Sequence, residues 1–310
     1  GFLFTQQSDL WYFDIDFHTA TRLTKTKGTE ELATFSPDGK HVAFVRGNNL
    51  FVVDLKTQTE KQITTDGSEV IYNGKADWVY YEEIFYRRRQ AFWWSSDSSH
   101  LVFMRFDDKA VSPYAIIDPI PTKQRIEKTR YPKAGTTNPT VKLGMVSIRD
   151  CKIRWIKETS KDTLITGVGW TKGKQAYFYL QDRAQTWLEV CLATPGSDKA
   201  VTAHKEKSKG WIAPEAPVFL KDGSFLILNE RSGWKQIYHH SSGKSRAVTS
   251  GEWEVRRIHI VDEKSGWIYF TGTRDSHIAD NLYRVKLDGS QLTRLTKESG
   301  GHRVRVSATG

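Results

Sequence analysis

The chain has 310 residues, 46 Lys and Arg against 36 Asp and Glu, 38% apolar and 12% aromatic content, and two cysteines. That length buries a sizeable core as one large domain or two smaller ones, and the composition excludes disordered, collagenous and disulfide-scaffold classes. The net charge of +10 is scattered, with Arg87-Arg88-Arg89 the densest basic run, so it speaks of solubility and gives no argument for a nucleic-acid partner.

In chain order, Gly1 opens the sequence without a methionine, and the expectation is a piece of a longer polypeptide. Asp9–Asp14 reads as a strand, and Arg22-Leu23-Thr24 as a short closing one. Ala33–Phe44 follows as two strands around Ser36-Pro37-Asp38-Gly39, where Asp-Gly supplies the positive φ of a tight turn. Asn49–Asp54 and Gln62-Ile63-Thr64 repeat the single strand and the closing strand. Further hairpins fall at Trp93–Phe103, Val168–Phe178, Val218–Ile227 and Ile258–Phe270. Their trailing strands are Gln236–Tyr238 and Asn281–Val285, with closing strands at Ala200–Thr202, Ala247–Thr249 and Arg294–Thr296. Val304–Ser307 reads as the start of another unit.

Units of three or four short strands recurring at about 40–50 residues predict an all-β chain, an incomplete β-propeller of about six to seven blades. One blade cannot cover both its faces, so blades stack. Phe35, Trp94, Trp170, Phe219 and Tyr269 are expected between them.

Two segments interrupt the period. In Asn73–Tyr86, Asp77 is placed to cap a short helix, with Trp78, Tyr81 and Phe85 on one face as anchors. Glu82 and Glu83 project elsewhere. Two adjacent carboxylates repel unless a cation sits between them, and an α-ammonium with its three N–H donors is such a cation. The plainer reading is a solvated pair, with Glu83 and Arg87 spaced i, i+4 for a surface ion pair. The second segment, Arg130–Val146, is turn-rich between Pro132 and Pro139. Its strand Val141–Val146 pairs in expectation with Cys151–Ile156 as an extended β-arm.

No Gly-x-Ser-x-Gly occurs, so the chain carries no nucleophile elbow and no catalytic residue is assigned in it. The nine histidines show no metal-ligand spacing. His239 and His240 are neighbours on a strand and point to opposite faces. No glycine pattern for a nucleotide is present, and neither a cofactor nor a metal is expected. No apolar run is long enough for a membrane span. Cys151 and Cys191 fit either two reduced thiols or one bridge.

Asn73-Gly74, Asp77–Phe85 and Phe92–Ser95 closely resemble the dipeptidyl peptidase IV family of serine exopeptidases. So do Tyr131–Gly135, Asn138–Lys142, Glu230–Tyr238 (in its bacterial branch) and Gly251–Val255. The resemblance implies that residues 1–310 are the N-terminal propeller, which gates substrate entry to an α/β-hydrolase domain with Ser, Asp and His elsewhere in the same polypeptide. It implies that Glu82 and Glu83 bind the free N-terminus of a peptide, with Ile84 and Phe85 beside the subsites, so that dipeptides leave after Pro or Ala. It also implies a homodimer through an arm at Val141–Val146 and leans toward a periplasmic or extracytoplasmic place. The chain departs from the family at Gly1–Phe4, which lacks an Arg, and at Trp211–Pro217, which is shortened. The alternative is a catalytically silent relative, a propeller that only binds partner proteins.

Overall fold

The computed structural model describes residues 1–157 and 163–307. Six antiparallel sheets carry the blade pattern of an incomplete β-propeller among these residues. The first holds β1 (Phe2–Gln6), β2 (Asp9–Asp14) and β3 (Thr19–Arg22). The second is β4 (Glu30–Phe35), β5 (His41–Arg46), β6 (Asn49–Asp54) and β7 (Glu60–Gln62). In the third, β8 (Ile71–Asn73) and β9 (Phe92–Trp94) both pair with β10 (His100–Asp107). The chain then leaves as a two-stranded arm, β11 (Pro113–Asp118) and β12 (Arg125–Arg130). It returns to the third sheet as β13 (Thr140–Ser147) and β14 (Ile153–Trp155). The fourth sheet is β15 (Thr163–Trp170), β16 (Ala176–Asp182), β17 (Trp187–Ala193) and β18 (Ala200–Lys207). The fifth is β19 (Val218–Phe219), β20 (Phe225–Asn229), β21 (Gln236–Ser241) and β22 (Lys244–Ala247). The sixth is β23 (Val255–Asp262), β24 (Trp267–Gly272), β25 (Asn281–Lys286) and β26 (Thr293–Arg294).

The chain divides into two compact units. One comprises Gly1–Trp170, Lys174–Arg183 and Val190–Thr202; the other comprises Thr171–Gly173, Ala184–Glu189 and Ala203–Gly310. In the first unit, β5 shows why blades stack. Val42 and Phe44 join Leu10 and Leu23 of the first sheet in one apolar cluster, while Ala43 and Val45 join Leu101 and Phe103 of the third in another. The strand period of two sends alternate residues to opposite faces, and both faces are dry. In the second unit, Leu226 and Ile237 pack against Ile268, Phe270 and Tyr283 in the same manner.

The closing strands share a latch. The backbone N–H of Leu10, Leu50, Ile237 and Leu282 donates to the hydroxyl of Thr24, Thr64, Thr249 and Thr296, at 2.8, 3.0, 2.9 and 3.2 Å. In these four sheets the threonine after the closing strand has a reason: its hydroxyl satisfies a donor that the ladder leaves over. Thr249→Val should lower stability by about 1–3 kcal/mol, because the buried Ile237 N–H loses its acceptor at constant shape. Urea unfolding with an unchanged m-value checks this.

Several expectations are corrected. Val141–Val146 is no arm. It lies inside β13, paired on both sides by β10 and β14, with Val141, Leu143, Met145 and Val146 buried. The arm is β11–β12, whose Tyr114, Ile116, Ile117 and Ile126 are exposed. The chain opens on β1, not on Asp9–Asp14, and the first sheet has three strands. Val304–Ser307 forms no strand. Of the five aromatics expected between blades, Phe219 is buried and the other four are half-buried, with Phe35 and Trp94 packed on the clusters that join neighbouring sheets. Among the fully buried rings, Phe44, Phe103, Phe178 and Phe270 lie on the second strand of a hairpin, which is flanked by sheet on both edges. Cys151 and Cys191 are not bridged. No helix among the described residues is long and apolar enough to cross a membrane.

Candidate functional site

The strand partnering β10 is interrupted. β8 covers the C-terminal half of β10, with Asn73 opposite Arg105, and β9 covers the N-terminal half, with Phe92 opposite Phe103. Residues 74–91 leave the sheet between them and are closed at the neck. Gly74 N donates to Met104 O at 2.9 Å, Ala91 N to Gly74 O at 3.0 Å and Ala76 N to Arg89 O at 2.8 Å. Gly74 sits at φ +70°, and a Cβ there would press Leu50 and Phe92 at 3.2 Å, so the neck requires glycine.

Asp77 starts the turn as the sequence predicts. Its carboxylate accepts from Val79 N at 3.0 Å and from Tyr80 N at 3.1 Å. The turn itself, Tyr80–Ile84, is π-helical, with Phe85 N donating to Tyr80 O at 2.7 Å. A π turn is wider than an α turn, so residues five apart align. The chain then folds back, with Arg87 N on Tyr81 O at 2.8 Å, so that Arg87 pairs with Glu82 through Nε and Nη2 at 3.1 and 2.6 Å, and the expected Glu83–Arg87 pair is absent among the described residues. The same widening moves the anchor. Tyr80 is the fully buried ring, and its hydroxyl accepts from Ile165 N at 3.1 Å. Trp78, Tyr81 and Phe85 are half-buried: Trp78 lies edge-on to Tyr131 at 4.3 Å, Phe85 meets Tyr80 at 5.7 Å and Trp93 at 6.0 Å, and Arg89 covers Tyr81 at 4.1 Å.

The turn ends on Tyr86 and Arg87 at φ +50° and +64°, a conformation that costs a non-glycine residue roughly 1–2 kcal/mol. This tight exit leaves Glu83 exposed, without a partner among the described residues, and Glu82 27% exposed at its side chain beside Arg87. Ile84 is half-buried next to them. The four residues singled out in the sequence therefore lie on one closed loop: two acids outward, and Phe85 inward on Tyr80 and Trp93.

Two acids by the turn share one electrostatic neighbourhood: Asp77, the expected cap, and Asp108, which spacing did not reveal. Asp77 and Asp108 are both buried. Burial raises Asp77 to about 6 against the pull of its two cap bonds and of Arg89. Burial, then the Asp77 and Asp107 charges, raises Asp108 to about 8 against Arg130. No motif joins positions 77 and 108; only the pairing of β8 with β10 brings them near.

The second unit holds a cavity of about 530 Å³ lined by His204, Glu206, Trp211, Glu215, Asn229 and Lys235 among others. The shortened stretch after Trp211 contributes Ile212 and Ala213 to its wall. Its charges are largely spoken for: Lys235 pairs with Glu215 at 2.8 Å, and Glu206 accepts from Asn229. His239 and His240 diverge as expected. His239 reaches Ser224 Oγ at 2.9 Å, while His240 stacks on Phe225 at 4.9 Å and is held to about 3 by burial, with His204 and Arg231 adding to it.

Residues 4–310 match the family model described as the dipeptidyl peptidase IV N-terminal region. The chain is 31% identical to dipeptidyl peptidase 4 of Trichophyton tonsurans over 98% of its own length and 42% of that protein. It is 29% identical to a probable dipeptidyl-aminopeptidase B of Coccidioides posadasii, over 96% of the chain and 36% of that protein. The structure of Porphyromonas gingivalis dipeptidyl peptidase 4 superposes with a TM-score of 0.85 at 28% identity, covering 94% of this chain and 42% of that one. The chain thus spans about two fifths of the length of these relatives.

Proposed function

The chain belongs to the dipeptidyl peptidase IV family as its N-terminal region, and on that premise we propose that it is the substrate-gating propeller of a serine exopeptidase that releases dipeptides. Glu82 and Glu83 take the ammonium of a free peptide N-terminus through charge-assisted hydrogen bonds. A hydrolase domain in the same polypeptide supplies serine, histidine and aspartate for acyl transfer. Fixing the ammonium sets the register, so the scissile bond is the one two residues along, after Pro or Ala. Ile84 and Phe85 present apolar surface beside the first two side chains.

One observation carries this reading: two adjacent carboxylates sit on a loop anchored by the buried Tyr80, and Glu83 is exposed with no cation among the described residues. Arg87 does not undo it. The guanidinium is 74% exposed, and an exposed ion pair is weak, so an arriving ammonium displaces it at little cost. Arg87→Ala in the complete enzyme should lower KM by at most a few-fold and leave kcat unchanged. A rise in KM would instead make Arg87 part of the amine site. Two copies pairing through the exposed apolar residues of β11–β12 belong to the same proposal.

The Glu82–Arg87 pair is also what favours the second reading, a silent relative whose acids are internally neutralised. The complete polypeptide decides between them. Release of Ala-Pro from a free-amine substrate and none from its acetylated form supports the peptidase. No release from either, together with no Gly-x-Ser-x-Gly downstream, supports the silent relative.

A further inference from the structure

Asp77 and Asp108 have no part in the amine-binding chemistry, yet both are buried, Asp77 at the start of the turn and Asp108 just past the end of β10, with which the strands on either side of the loop pair. Asp77 is 3% exposed and makes the two cap bonds that start the π turn. Asp108 is 1% exposed and follows β10 directly, with its backbone N–H on Val70 O at 2.9 Å and its carbonyl accepting from Val111 N at 2.9 Å. Its Oδ1 is buried with no hydrogen-bond partner among the described residues. The charged groups that face this pair are few. Arg89 acts on Asp77; Asp77, Asp107 and Arg130 act on Asp108. Tyr72 lies in the field of both acids, and Tyr80 in that of Asp77. Arg130 is itself committed to Val111 O at 2.6 Å.

Two buried carboxylates sharing one neighbourhood do not both ionise readily. An ionised Asp77 is what the cap bonds require, since both N–H groups need an acceptor. A neutral Asp108 is what its orphaned oxygen tolerates, since a buried carboxylate without donors is far costlier than a carboxylic acid. We propose that Asp108 is a positioning residue that stays protonated beside ionised Asp77, and that this division of one proton holds the turn carrying Glu82 and Glu83 in its amine-binding geometry. The proposal rests on the amine-binding reading above and adds a pH limit to it. The raised value of Asp108 fixes the sign. Folding keeps a proton on Asp108, so its contribution is full below the ordinary carboxylate value of 3.8 and is lost as pH rises through about 8. Above that, Asp108 becomes a second buried anion against Asp77 and Asp107, and the neck of the loop loosens.

The peptide amine itself deprotonates near pH 8, so an alkaline fall in activity alone proves nothing. The test is therefore a ratio and a substrate-free measurement, both on the complete enzyme. Asp108→Asn keeps the shape of the protonated acid and cannot ionise. The ratio of its kcat/KM to that of wild type cancels the substrate's titration. It should be near one at pH 6.5 and rise at least about tenfold by pH 9, shared between kcat and KM as expected when the ammonium loses its anchor. Hydrogen exchange of the 74–91 segment without substrate, corrected for intrinsic rate, should accelerate from pH 7 to 9 in wild type and not in Asp108→Asn. A flat ratio, or exchange in wild type that does not respond to pH, overturns the proposal. Should Asp108→Asn not fold, the wild-type exchange profile decides by itself. If removing Glu82 and Glu83 left kcat/KM intact, the amine-binding reading would fall while the exchange arm remained readable, so the two failures are told apart.

Discussion

Replacing Glu82 or Glu83 by Ala in the complete enzyme lowers kcat/KM for a free-amine dipeptidyl substrate by roughly 30-fold to several-thousand-fold, corresponding to about 2–5 kcal/mol for a desolvated charge pair that loses one partner. The loss should sit in both kcat and KM. The ammonium anchors the substrate in the ground state and also holds the scissile carbonyl in register for attack. The two acids should not be equal. Glu83 has no competing cation among the described residues, whereas Glu82 first has to release Arg87. Glu83→Ala is therefore the more damaging single change, and Arg87→Ala should partly close the gap. Steady-state kinetics on these three variants and on Arg87→Ala combined with each Glu→Ala, with an acetylated substrate as control, reads all of this. Single variants that keep wild-type kcat/KM would remove the amine-binding role.

Tyr80→Ala is expected to be the most destabilising single change in the loop, at about 3–5 kcal/mol. The ring is fully buried, packs edge-on to Phe106 at 4.9 Å and to Phe85 at 5.7 Å, and its hydroxyl is the acceptor for Ile165 N. Tyr80→Phe keeps the packing and removes only the acceptor, so it should cost about 1–3 kcal/mol. The pair of variants separates packing from hydrogen bonding. Thermal unfolding of both, with activity measured below the transition, checks it. Tyr80→Phe should retain amine selectivity, because the position of the turn is set by the ring. An equal cost for the two variants would mean that packing contributes little at this point.

The propeller was legible because its signals are local and repeated. Each hairpin turn is written in four or five residues, such as Ser36–Lys40, and the alternation in Val42–Val45 states that both faces of the strand are covered. Failures came where geometry depends on a partner far along the chain. Val141–Val146 pairs with the strand after it, β14, as expected from the sequence, but nothing within it says that β10 takes its other edge. The true arm, Pro113–Asp118 with Arg125–Arg130, drew no attention because its apolar residues resemble those of a buried strand while facing outward.

The site divides in the same way. Asp77 as a cap and the Glu82-Glu83 pair could be read from spacing and family resemblance. The π turn could not, because helical periodicity assumes 3.6 residues per turn. That assumption put Trp78, Tyr81 and Phe85 in the anchor position that Tyr80 occupies, and Arg87 beside Glu83 in place of Glu82. Asp108 was invisible, since its burial and its nearness to Asp77 are products of strand pairing alone.

The structure of the complete enzyme with a peptide trapped at its active serine tests the central claim most directly. The account predicts the peptide's terminal nitrogen at about 2.7–2.9 Å from carboxylate oxygens of both Glu82 and Glu83, with Arg87 swung away. A terminal nitrogen resting elsewhere, with Glu82 still closed on Arg87 and Glu83 in open water, would contradict it.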